Sequence, residues 1–258
     1  MIKNIIVVGS GKGGVGKSTI ALNLSISLAQ KTKKKIGLLD ADIYGPSIPK
    51  LLDIKNKPQI SENKKIIPYQ KYGIKVMSIG NMIPNDNAII WRGVMASRAI
   101  KQLVQDVDWG ELDFLFIDLP PGTGDIQLSL CQNLSLTGSI IVSTPQEVSL
   151  IDVRKAVNMF NKVNVPILGF IQNMSYFKIK SQKNYIFGKD GVIKEAKKQN
   201  YNFLGEIPIF PEIAKESDLG IPPSKDSKSE IGKIFSNINN KLLDVLLKSD
   251  KVDVKVEN

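Results

Sequence analysis

Histidine is absent from the 258 residues, and cysteine occurs once, at Cys131. The first absence excludes every mechanism built on an imidazole base. The two together exclude a Cys/His zinc site within one chain. A single thiol cannot close an intramolecular disulfide, which suits a reducing compartment. Arginine is scarce: Arg92, Arg98 and Arg154 are the three among 35 basic residues. Readers of nucleic-acid bases usually rely on the arginine fork, so nucleic acid is an unlikely partner. No apolar run approaches the roughly 18 residues that a membrane-spanning helix needs. The apolar start, Met1 to Gly9, is too short for a signal-peptide core and leads straight into a glycine loop. A cytoplasmic protein without a membrane span is the expectation.

The chain is long enough for one sizeable α/β domain, and 42% hydrophobic residues can fill a core. The net charge is +10. The lysines are spread along the chain, so a compositional bias and a functional basic face both stay open. Ile5–Val8, Ile36–Leu39, Lys75–Ile79, Leu112–Leu119, Ser139–Ser143, Ile167–Ile171 and Phe203–Ile207 are short apolar runs of the kind that form buried parallel strands. Helical spacing falls between them, at Ser18–Gln30, Met95–Val107, Ile126–Asn133, Leu150–Val163, Val192–Asn200 and Ser229–Leu247. This alternation predicts an α/β fold, a doubly wound, mostly parallel sheet flanked by helices. Residues 53–74 are polar and read as a surface excursion. The organisation is one domain over 1–248, followed by a charged, frayed tail over 249–258.

Gly11-Lys12-Gly13-Gly14-Val15-Gly16-Lys17-Ser18 fits the phosphate-loop pattern G-x-x-x-x-G-K-[ST]. It follows a predicted strand and opens a predicted helix, the context the pattern requires. Glycines let backbone N–H groups close around phosphate, and the helix start adds positive potential. Lys17 reaches the β- and γ-phosphates, and the Ser18 hydroxyl ligates Mg²⁺. Gly11, Gly13, Gly14, Val15, Gly16 and Thr19 complete the expected ATP contacts.

Lys12 is a second lysine in the loop, either solvated or functional. With it, the octapeptide resembles the deviant Walker A of the ParA, MinD and nitrogenase iron protein class. That resemblance implies a homodimer in which Lys12 acts on the partner's nucleotide. Asp40 and Asp42 end the second strand, where ligands of open α/β sheets bind. In the similar ATPases the first acid lies near Mg²⁺ and the second orients the attacking water, roles carried to Asp40 and Asp42. Asp118 ends Phe114-Leu-Phe-Ile117 in a Walker B pattern and is expected to hold the metal through water. Pro120-Pro121-Gly122-Thr123-Gly124-Asp125 follows as a tight loop placed to sense the γ-phosphate.

Further motifs narrow the resemblance. Asp42-Ile-Tyr-Gly-Pro-Ser47, Trp91-Arg92-Gly93, Asp118 to Asp125, Asn173-Met-Ser-Tyr-Phe177, Tyr185-Ile-Phe-Gly188 and Gly205 to Glu212 are similar to the Mrp/ApbC family. Its members are P-loop ATPases described as iron–sulfur cluster carriers. The likeness runs from about residue 3 to 225. It implies that Asn173 contacts adenine, with Pro208 lining the base, and that scaffold or client apoproteins are partners. Many members carry a small N-terminal domain, which is expected to be absent here.

One departure stands out. Cluster-carrying members usually have Cys-x-x-Cys after the Asn-Met-Ser-Tyr-Phe segment, but this chain reads Phe177-Lys-Ile-Lys-Ser-Gln-Lys-Asn-Tyr185. No iron–sulfur ligand is identified, and Cys131 reads as a core residue. The first expectation is a Mg-ATP-hydrolysing homodimer of iron–sulfur cluster assembly or transfer. The alternative is a MinD- or ParA-like positioning or partition ATPase acting on membrane or DNA, for which the apolar run around Leu242–Leu247 would have to be a membrane-binding helix.

Overall fold

A computed structural model describes residues 1–82 and 93–253. Trp91 and Arg92 of the family-like motifs lie outside the described residues, as does 254–258. In chain order the elements are β1 (Ile2–Gly9), α1 (Lys17–Lys31), β2 (Ile36–Asp40), α2 (Ile48–Leu51), β3 (Tyr69–Lys71), β4 (Ile74–Ser78), α3 (Gly93–Asp106), β5 (Leu112–Asp118), α4 (Asp125–Asn133), β6 (Gly138–Ser143), α5 (Glu147–Lys162), β7 (Ile167–Ile179), β8 (Gln182–Asn184), α6 (Gly191–Lys198), β9 (Phe203–Ile209), α7 (Pro211–Asp218) and α8 (Glu230–Asp253). The sheet order is β3-β4-β2-β5-β1-β6-β7-β8, with β9 also paired to β7. Among the described residues only β3 and β8 run antiparallel to their partners. The other pairings are parallel. The doubly wound α/β sheet read from the sequence is therefore the fold.

Alternation along the strands splits the core in two. Ile6 and Val8 of β1 point to one face, with Leu38, Phe116 and Val142, under α1 and α8. Val7 points to the other, with Leu39, Ile117 and Ile141, under α3, α4, α5 and α6. Both faces are covered, so the inner strands carry near-continuous apolar runs, broken by polar residues mainly at their ends. The C-terminal run is part of this core: Leu242 and Leu246 of α8 are buried beside α1. No helix among the described residues is long and apolar enough to cross a membrane.

Several elements differ from the expectations. The excursion at 53–74 contains β3, turned into β4 by Tyr72 and Gly73, both at positive φ. β7 continues past Ile171 to Ile179 and folds back as β8 through Lys180 (φ 55°). α7 was not anticipated; it buries no residue, so it carries no apolar stripe to find. α8 continues through Ser249 to Asp253.

Candidate functional site

The parallel sheet brings the C-terminal ends of β1, β2 and β5 side by side, with Asp40 in register with Asp118. The phosphate-loop residues hang between β1 and α1. Gly16 starts α1 with φ 84°, a left-handed conformation open to glycine. A Cβ there would lie 2.3 Å from the Asn173 Nδ2. That amide donates to the Val15 carbonyl at 2.8 Å and ties the middle of β7 to the loop. Gly11 approaches α5 so closely that a Cβ would meet the Asp152 backbone at 2.3 Å.

A cavity of about 270 Å³ sits above the loop, lined by Lys12 to Thr19 together with Ser10, Asp42, Gly45, Ser47 and Pro121. A second, apolar cavity of about 530 Å³ shares Gly16 and Thr19 with it. Asn173, Pro208, Ile207, Phe187, Phe210 and Ile213 are on its walls. The first cavity is a slot for phosphates and the second has the size and apolar lining to take a base. Asn173 therefore borders both the loop and the base-sized cavity, as does Pro208 the latter.

Lys17 is buried, and its ammonium donates to Asp118 Oδ1 at 2.5 Å and to Ser18 Oγ at 3.3 Å. The Asp118 Oδ2 is also buried and accepts no hydrogen bond among the described residues. Burial pushes the Asp118 carboxyl up, and the Lys17 charge pulls it back. Asp42 lines the phosphate cavity, and its Oδ1 accepts the Gly45 N–H at 3.2 Å. Asp40 is placed differently. It is fully buried, off the cavity wall, with both oxygens engaged: Oδ1 by the Asp42 N–H, and Oδ2 by the Ile48 N–H and the Ser78 hydroxyl. Burial and then the Asp118 charge push its carboxyl to about 7. Asp40 thus anchors the loop 42–48 from inside.

The loop after β5 is fastened to the phosphate loop. The Gly122 N–H donates to the Ser10 carbonyl at 2.9 Å, and Gln127 Nε2 donates to the Pro121 carbonyl at 2.6 Å. Lys12 is half-buried at the cavity edge and forms no ion pair among the described residues. Cys131 is buried in the core, and burial pushes its thiol up to about 12. Sequence reasoning did not single out Ser10, Gly45, Ser47 or Pro121 as cavity walls. Ser47 carried a readable signal, a serine just before a short apolar helical start.

Residues 1–243 match the ParA family described as the NUBPL iron-transfer P-loop NTPase. An iron–sulfur cluster carrier protein of Aquifex aeolicus is 52% identical over 242 residues, covering 92% of this chain and 66% of that protein. The chain thus spans just under two thirds of that relative's length. A nucleotide-binding protein from Archaeoglobus fulgidus, solved in complex with ADP, superposes with a TM-score of 0.78 at 39% identity, covering 91% of this chain and 92% of the other. The cell division ATPase MinD of Pyrococcus furiosus shares the fold, with a TM-score of 0.72 at 22% identity over 94% of this chain and 99% of its own.

Proposed function

Because the chain belongs to the NUBPL iron-transfer P-loop NTPase family, we propose that it is a cytoplasmic, homodimeric Mg-ATPase that takes part in iron–sulfur cluster assembly or transfer. One observation carries the nucleotide half of this reading. The phosphate cavity and the apolar cavity share Gly16 and Thr19, and the buried Lys17, on the wall of the first, donates to Asp118.

The residues present suit Mg²⁺. This ion is usually held by one or two carboxylates plus substrate phosphates, keeping several waters. The Ser18 hydroxyl and the unpartnered Asp118 Oδ2 are such a minimal set, and no group of three His, Cys, Asp or Glu poised for a metal occurs among the described residues. Asp40 acts through the loop it anchors. When bound, Mg²⁺ neutralises charge on the β- and γ-phosphates. Lys17 leaves Asp118 for the phosphates, which releases the second carboxylate oxygen. The loop N–H groups orient the phosphates. Asp42, on the cavity wall, holds the attacking water in line with the scissile bond. Lys12 of each protomer, which has no ion partner among the described residues of its own chain, supplies charge to the nucleotide of the other. The loop over 120–125, tied to Ser10 at the root of the phosphate loop by the Gly122 N–H, passes nucleotide state to the protomer interface.

A cluster does not fit the thiols in hand. Iron–sulfur clusters take about four thiolates, whereas these residues hold one cysteine, buried and kept protonated, and no histidine. The cargo's ligands then come from a scaffold or client protein. The burial of Leu242 and Leu246 weighs against the membrane-positioning alternative, although Leu247 is exposed.

Calorimetry and phosphate release test the reading. Wild type binds Mg-ADP and hydrolyses ATP. Lys17→Ala abolishes binding. Asp42→Ala binds but turns over at least about a hundredfold more slowly, and Lys12→Ala hydrolyses poorly and no longer dimerises with Mg-ATP in sedimentation. No heat of binding for wild type would overturn the nucleotide claim. Anaerobic reconstitution with iron and sulfide leaves the isolated protein colourless. A chromophore present in wild type and lost in Cys131→Ser would overturn the cargo claim.

A further inference from the structure

Gln127 is the third residue of α4, after a helix start at Gly124 that has no side-chain cap. A glutamine at that position often turns back and accepts the N–H of the cap residue through its side-chain oxygen. Here the amide works in the other direction. Its Nε2 donates to the Pro120 carbonyl at 3.2 Å and to the Pro121 carbonyl at 2.6 Å, and the residue is only 6% exposed. A glutamate would serve the helix start at least as well. It would have no proton to give either carbonyl.

The loop after β5 needs such a donor. Pro120 and Pro121 have no N–H with which to close a turn of their own, and a buried carbonyl such as that of Pro120 requires a partner. One residue on, the Gly122 N–H ties the loop to the Ser10 carbonyl at 2.9 Å. The loop is thus fastened on one side to α4 and on the other to the root of the phosphate loop. Pro121 sits where the two fastenings meet, on the wall of the phosphate cavity with Ser10. A Cβ on Gly13 would lie 4.0 Å from the Pro121 Cγ, an ordinary contact distance, so the ring stands directly against the phosphate loop.

We infer that Gln127 is a positioning residue for ATP turnover: by holding both proline carbonyls it fixes the Pro121 ring as a rigid wall of the phosphate cavity, and that wall keeps the phosphates aligned with Lys17 and Asp42. This rests on the nucleotide-binding reading above. The grip of the loop N–H groups and of the apolar cavity on the nucleotide does not pass through Gln127. Loss of the brace therefore falls on rate and spares affinity, because misplacing reacting groups by about 1 Å can cost about a hundredfold in rate.

The experiment compares wild type, Gln127→Glu, Gln127→Met and Asn239→Leu by steady-state phosphate release, calorimetry with Mg-ADP, deuterium uptake and thermal unfolding. Asn239 is the matched control: a fully buried amide whose Nδ2 donates to the Leu24 carbonyl at 3.1 Å, lining neither cavity. Both Gln127 variants lower kcat at least about tenfold while KM and Mg-ADP affinity stay within about threefold, the pattern of an interaction that counts in the transition state. Uptake over 120–125 rises in both. Asn239→Leu keeps kcat within about twofold whatever it costs in melting temperature. Full turnover in Gln127→Glu would make the residue a helix cap and overturn the inference. So would parallel losses of kcat and Mg-ADP affinity, an equal loss of kcat in Asn239→Leu, or failure of both Gln127 variants to fold. Each of these leaves the nucleotide reading intact, whereas failure of wild type to bind Mg-ADP would bring down both.

Discussion

Gly16 joins two demands at one position. Its φ of 84° and the Asn173 amide 2.3 Å from any added Cβ both exclude a side chain. Gly16→Ala therefore costs about 1–3 kcal/mol of stability and abolishes Mg-ADP binding, measured by denaturant titration and calorimetry. Asn173→Ala removes the bond to the Val15 carbonyl and weakens nucleotide affinity about tenfold with a smaller loss of stability. At Cys131 burial raises the thiol from 9.0 to about 12. Its thiolate fraction at pH 8 falls about a thousandfold, so a disulfide reagent reacts slowly with the native protein and at once after denaturation. Rapid labelling of the folded chain would contradict that placement. At this scale the sequence was informative about placement where the pattern is local: Gly11 to Ser18 fall between β1 and the start of α1, and Asp118 ends an apolar strand. The oxygen partners of Asp40 were not legible, because Ser78 reaches it from another strand. Nor was the bond from Asn173 to Val15, which spans 158 positions.

Between elements, α5 and α6 are joined by Arg154. Its guanidinium donates to the Glu195 carboxylate at 3.0 and 2.8 Å and to Glu147 at 2.9 Å. Glu195 is buried, and Arg154 holds its carboxyl below the usual range. A depressed pKa means that the native state releases this proton more readily than the unfolded one. The stabilisation is fully present above the ordinary glutamate range and is lost as pH falls below that range through the lower native value. Arg154→Ala strands the carboxylate and costs about 1–3 kcal/mol at pH 7, a deficit that shrinks towards pH 4 in urea titrations. A deficit independent of pH would point to lost packing instead. Strands were legible at this scale because both sheet faces are covered and their runs are continuously apolar. β3 and β8 were not, since three-residue edge strands of mixed polarity carry no period to detect. α7 escaped for the same reason.

For the molecule as a whole, α8 closes the face opposite α3, α4, α5 and α6. Leu242 is fully buried among residues of α1 and the sheet. Leu242→Ala costs about 2–5 kcal/mol, read as a lower denaturant midpoint. A loss of liposome binding with unchanged stability would instead support a membrane-targeting helix. The fold class was legible from alternation alone, whereas the allocation of helices to faces depended on the strand order.

That order places β1 between β5 and β6, with hydrogen bonds on both flanks. Interior strands of this kind release their amides to solvent only when the entire structure opens, while edge hairpins such as β3 and β8 exchange through small local fluctuations. The phosphate loop is thus an extension of the slowest-exchanging strand. Deuterium uptake would spread inwards from both sheet margins and reach the root of the nucleotide cradle last.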